Sequence, residues 1–146
     1  MKRHVLLTIA IMIICGVSVV SAEAQTLGSQ TIRAKIPFTF TVGQKTLPAG
    51  VYSVTILNPA SDRKALQIRS ADGRASAIIQ TTAVKGSVAS TPKFVFRRYG
   101  DRHFFAQVQM AGDVTTLAAV KTNAERAAQR SLKLNNDRSV VAIVAQ

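Results

Sequence analysis

Asp101 and His103 stand two residues apart, the closest pairing of a carboxylate with an imidazole in the chain. A pair of this kind can orient an imidazole for general acid–base work. The chemistry also needs a nucleophile within hydrogen-bond reach of the base. Gly-x-Ser-x-Gly does not occur, and the one thiol, Cys15, falls in an apolar run near the N-terminus. Asp101 and His103 therefore read as a turn aspartate and an exposed strand histidine. Asp62, Asp72, Asp113, Asp137 and Glu125 fall at predicted turns or caps, where bonding to nearby backbone already accounts for an acidic side chain. Structural zinc wants four Cys or His ligands, calcium a regular series of oxygen donors, and nucleotides a glycine-rich loop. None of these patterns is found, so the sequence predicts no enzyme, no cofactor and no bound metal.

Cations are the chemistry that remains. Nineteen Lys and Arg against seven Asp and Glu give a formal charge of +12. Arg97, Arg98 and Arg102 crowd one predicted hairpin, and adjacent strand residues face opposite sides, so only one of Arg97 and Arg98 can join a given patch. Arg126, Arg130 and Lys133 recur at i, i+4 and i+7, which makes a stripe on one helix face. A positive surface attracts acidic polysaccharide, lipid headgroups or nucleic acid through long-range fields. The candidate contacts are Arg98, Arg102, Arg126, Arg130 and Lys133. Set against them is a plain solvating role, since scattered charge keeps sheet edges from pairing. No dedicated nucleic-acid motif accompanies the charge, and aromatic side chains are too sparse for a stacking platform.

The elements that would carry these residues are mostly strands. Ile32 to Val42 alternates apolar and polar positions, the mark of a half-buried strand, and Pro37 within it marks a sheet edge. Leu47-Pro48-Ala49-Gly50 reads as a type I turn, with Gly50 free to take a positive φ. Val51–Leu57 alternates again. Ala65–Ser70 and Ala75–Thr81 flank an Asp72-Gly73 hairpin signal. Residues 82–92 read as a surface loop. Lys93–Tyr99 and His103–Met110 form a second hairpin about Gly100-Asp101, with Phe94, Phe96, Phe104, Ala106, Val108 and Met110 inward. Thr115–Val120 adds a short strand.

One helix is predicted, from Asn123 to about Lys133, opened by the capping box Thr122-Asn123-Ala124-Glu125. Ala124, Ala127, Ala128 and Ser131 would form its packing face. Arg138–Ala145 is apolar on both faces and suits a covered strand. The fold class is thus all-β: an antiparallel sandwich or small barrel of about seven strands with one short C-terminal helix. Strands this short, two tyrosines and no tryptophan do not suit an outer-membrane barrel with its aromatic girdles.

The first 24 residues stand apart. A basic start at Lys2-Arg3, an apolar run over Val5–Val20 and the small-x-small exit Ala22-Glu23-Ala24 make a secretory signal peptide. The run spans about 24 Å as a helix, short of the ~30 Å hydrocarbon layer, so no membrane span is expected once it is removed. Residues 25–146 form a single domain by length. They hold no cysteine, so disulfides cannot staple them and an apolar core must. With 47% of the chain apolar, such a core is feasible.

Pro37-Phe38-x-Phe40-x-Val42-Gly43, Leu47-Pro48-Ala49-Gly50-x-Tyr52-x-Val54, Phe96-x-Arg98-Tyr99-Gly100-Asp101 and Ala124-Glu125-Arg126 follow one another in this order. The ordered set resembles a family of short, signal-peptide-bearing bacterial proteins of unassigned function. The resemblance implies an exported all-β domain and brings no activity or ligand. The expectation from the sequence is an exported, periplasmic or secreted, non-catalytic β domain with a binding or structural role in the cell envelope or outside the cell. The alternative is recognition of an anionic polymer or surface through the basic residues named above.

Overall fold

The computed structural model describes residues 31–131 and 138–145. The expected signal peptide, Lys133 and Asp137 lie outside them. Ten strands and one helix follow in the order β1 (Thr31–Ile36), β2 (Phe40–Val42), β3 (Lys45–Leu47), β4 (Gly50–Ile56), β5 (Arg63–Ser70), β6 (Ser76–Lys85), β7 (Lys93–Tyr99), β8 (Arg102–Gln109), β9 (Thr115–Ala119), α1 (Asn123–Ser131) and β10 (Arg138–Val144). The expected all-β class with one C-terminal helix is what the chain forms. No helix among the described residues is long and apolar enough to cross a membrane.

All ten strands belong to one sheet, which runs β1-β4-β5-β6-β9-β8 and then branches. One edge of β8 carries β9 beside Gln107–Gln109 and, further along, β2 in parallel at His103 and Phe104. Its other edge carries β7, and β7 carries β10. Apart from β2 with β8, every strand pairing is antiparallel. The sheet curls so that β1 and β10, the two ends of its long path, come near each other without pairing. It is therefore not closed into a barrel.

Pro37 explains the first departure from the predicted strands. It has no amide hydrogen to give a ladder, and the run read as one strand breaks there, β1 ending at Ile36 and β2 beginning at Phe40. The segment after the break swings to β8, while β1 stays on β4. Gly50 does not take a positive φ; it starts β4, and the Tyr52 ring lies 3.5 Å from where its Cβ would be. The Tyr52 hydroxyl donates to the Pro48 carbonyl at 2.8 Å, so the Leu-Pro-Ala-Gly-x-Tyr segment closes on itself. β6 runs on to Lys85 by pairing with β9, so part of the segment read as a loop is strand. Ala89, also within that segment, is buried and bridges to Ala111.

The core is built from alternate residues of nearly every strand, with Phe40, Tyr52, Val54, Leu66, Ile68, Phe94, Phe96, Phe105 and Val108 among its buried members. Its aromatic rings meet edge to face, Phe40 against Tyr52 and Phe96 at 5.0 and 5.3 Å. Each such contact is worth about 1 kcal/mol beyond area burial. On β8 the alternation fails. Phe96 sits opposite Phe105 and Phe94 opposite Val108, leaving one extra residue at Ala106. That bulge brings Phe105 into the main core and sends Phe104 to a second cluster with Tyr99 and Ala128.

Candidate anion-binding site

The second cluster seats the helix. Thr122 caps α1 by accepting the Glu125 amide at its hydroxyl, 3.2 Å away. The other half of the expected capping box is replaced. The Glu125 carboxylate accepts from the Arg97 guanidinium and, at 3.2 Å, from the Tyr99 hydroxyl. Glu125 is 3% exposed and Arg97 largely covered, so the helix is fastened to β7 by a buried ion pair beside Ala128. The predicted packing face is corrected accordingly. Glu125 and Ala128 face inward, whereas Ala124, Ala127 and Ser131 are exposed. Glu125 lies three residues before Ala128 and so shares its helix face. Burial pushes the Tyr99 hydroxyl above its ordinary range, and the neighbouring Glu125 charge adds to this.

This use of Glu125 sets the electrostatics of α1. Its only carboxylate is turned inward and spent on Arg97, while Arg126 and Arg130 stand exposed one turn apart. With Asn123 and Gln129 they line a shallow depression on the outer side of the helix. Gln129 also borders a second depression, between α1, β7 and β10, walled by Arg97, Arg98, Lys121 and Ser139. Lys121 donates to the Gln129 side-chain oxygen at 3.1 Å, so its ammonium is held where the two depressions meet. Arg126 and Arg130 in the first depression and Lys121 in the second make a basic strip joined at Gln129, and Arg98 borders the second depression. Among the described residues the only ion pairs are Arg97–Glu125 and a long 4.0 Å contact between Arg74 and Asp72, so no carboxylate neutralises the strip.

The sequence candidates separate. Arg126 and Arg130 come together as expected. Arg97 takes the helix-facing side of β7, and Arg98 alternates away from it, donating from Nε to the Gly100 carbonyl at 2.7 Å. Arg102 lies over the Phe104 ring at 5.1 Å, a cation–π contact on the helix side of β8. Lys133 falls outside the described residues. Lys121 was missed, because it precedes the cap in an irregular segment with no periodicity to assign it to a face.

Asp101 takes its expected place in the exposed turn, and His103 stands in β8 as expected but is not exposed. His103 is half-buried, its ring stacked on Phe38 at 4.0 Å and 17°. Burial lowers its pKa first, the Arg98 cation lowers it further, and Asp101 pulls weakly the other way. Burial and the Arg98 charge thus favour the neutral ring against an aromatic face. The turn carboxylates are locally engaged: Asp72 accepts from the Ser70 hydroxyl at 2.6 Å and the Arg74 amide at 3.1 Å, and Asp113 accepts the Thr115 amide at 2.7 Å. These bonds hold the Asp72 carboxyl below its usual range, the Ser70 bond most. Among the described residues no three His, Asp or Glu side chains are grouped to hold a metal ion. Comparison with protein-family models, with curated proteins and with solved structures finds no match to this chain.

Proposed function

We propose that this chain is an exported, non-catalytic binding domain that takes an acidic polymer on the basic strip of α1. Of the two readings open to the sequence, a general envelope module or an anion binder, the second has a specific observation behind it. The helix buries its single carboxylate on Arg97 and Tyr99 and leaves Arg126 and Arg130 exposed, with Lys121 held beside them. A helix evolved only for solubility would gain from i, i+4 pairs of opposite charge on its outer face; here the two outer positions are both arginine. Guanidinium groups are weakly hydrated and fork-shaped, which suits sulfate and carboxylate groups along a polymer. Export rests on the N-terminal sequence pattern, and it makes acidic polysaccharide of the envelope or its surroundings the fitting polymer class.

Retention on immobilised heparin tests the reading. Arg126→Ala/Arg130→Ala is expected to elute at clearly lower salt than the parent, with the salt exponent reduced by roughly one per lost contact. Arg63→Ala/Lys85→Ala removes the same charge at exposed positions elsewhere and should elute close to the parent. Equal losses from the two double variants would mean that net charge, not a site, holds the polymer, and would overturn the reading.

A further inference from the structure

We infer that Arg33, Ser53 and Arg69 form a second acid-group site on the outer face of β1, β4 and β5, so that one domain engages two segments of acidic polysaccharide. The ligand class rests on the reading above; the site itself rests on the register of three strands. Arg33 lies opposite Ser53, and Ser53 lies opposite Arg69. The three side chains therefore share one row and one face. That face is the outer one, because the flanking Ala34, Tyr52, Val54 and Ile68 are buried while Arg33 and Arg69 are exposed. Neighbouring strands are about 4.8 Å apart, so the two arginine Cα atoms stand about 10 Å apart across the serine. Two long side chains at that spacing can close from both sides on one sulfate or carboxylate above Ser53.

The surroundings fit the same chemistry. Neither Arg33 nor Arg69 enters an ion pair among the described residues. Both border one depression with Ser53, Ser70 and Gly73. Gly73, at φ 73°, leaves room for the Arg69 guanidinium, one nitrogen of which lies 3.2 Å from where a Cβ would stand. Asp72 also borders the depression, and it is the only carboxylate there. It is tied to its own turn by Ser70 and the Arg74 amide, so its charge is fixed at the turn end of the row. One step further along the strands, Thr55 stands opposite Gln67, giving uncharged hydroxyl and amide groups beside the cations. Cations flanked by neutral hydrogen-bonding groups on an open sheet suit a sugar chain that carries both acid groups and hydroxyls.

The two sites draw on different strands. α1 packs on Tyr99 and Phe104, from β7 and β8, whereas this row crosses β1, β4 and β5 at the other end of the strand order. The stoichiometry of a short, defined heparin oligosaccharide, titrated calorimetrically into the protein at low salt, separates the possibilities. The parent is expected to bind two per chain, and Arg33→Ala/Arg69→Ala and Arg126→Ala/Arg130→Ala one each. Ser53→Asp, which sets a carboxylate between the guanidiniums without removing either, should also bind one. If the parent binds one, and only the α1 variant loses it, the second site is overturned and the α1 reading stands. If only the Arg33/Arg69 variant loses it, the row stands and the α1 reading falls. No binding by the parent overturns both.

Discussion

At the scale of single residues the most consequential contact is the one between Arg97 and Glu125. Two charges removed from water recover their hydration only through each other and through their remaining hydrogen bonds. Here Tyr99 adds one bond to the carboxylate, and the Ala119 carbonyl accepts from the guanidinium at 3.4 Å. Arg97→Ala would strand the Glu125 carboxylate against β7 and is expected to cost about 3 kcal/mol. The double variant Arg97→Met/Glu125→Leu, which removes both charges and keeps the bulk, should lie within about 1 kcal/mol of the parent. Urea unfolding of the parent, Arg97→Ala and the double variant measures both. A double variant as damaged as Arg97→Ala alone would show that packing, not the pairing of charges, holds the helix down. His103 supplies a second residue-scale prediction. Its folded pKa lies below the ordinary value, so between the two the unfolded chain binds the proton more readily. Stability is then fully present above pH ~6.5 and is lost as the pH falls through the lower, folded value. His103→Phe keeps a ring on Phe38 and cannot titrate, so its urea midpoint should change less than the parent's between pH 7.5 and 5.5. Parallel profiles would overturn this assignment.

Among the elements, what the sequence made legible and what it hid divide along a physical line. Alternation fixes a strand wherever one face is wet, and β4, β5, β7 and β8 lie close to where the period of two put them. The Asp72-Gly73 turn was equally readable, because a positive φ next to a short acidic side chain is a local requirement that local residues satisfy. Features decided by a distant partner were not. β3 is three residues long and exists because β2 runs beside it. The far end of β6 is exposed on both faces and shows no alternation of burial, and it is a strand because β9 pairs with it. The β8 bulge depends on β7, which is why Phe105, a core residue, is absent from the inward set that alternation predicts. β10 was read as covered on both faces, and the structure corrects this. It lies at an end of the sheet with Val140 and Val144 more than 60% exposed while Ile143 packs against the core, so only one face is covered, and the outward valines report strand propensity and pairing with β7 rather than burial. For the candidate site, the i, i+4 arginines of α1 were visible as a pattern. The reason they are unpaired, Glu125 turning inward to Arg97, was not, because that partner lies 28 residues away.

For the molecule as a whole, the surplus of positive charge acts on stability and on binding with opposite dependence on salt. A net charge of +12, with only two ion pairs among the described residues, repels itself in the compact state. Raising the ionic strength from 0.01 to 0.15 M shortens the screening length from about 30 to about 8 Å, so exposed cations scattered over the sheet and helix cease to sense one another. Sodium chloride alone should therefore raise the urea midpoint, through a gain in unfolding free energy on the order of 1 kcal/mol. A polyanion does the same job at low salt by a different route. It binds the folded surface, and at a hundredfold excess over its dissociation constant it would add about 2.7 kcal/mol by linkage. That increment depends on released counterions and must shrink as salt rises. Urea unfolding with and without heparin at 0.01 and 0.5 M sodium chloride is thus expected to show a large heparin effect at low salt and almost none at high salt, on a baseline that moves upward. A baseline that falls with salt would mean that attractive surface pairs, not repulsion, dominate the electrostatics of this fold. A heparin increment that survives 0.5 M salt would mean that groups other than the exposed arginines hold the polymer.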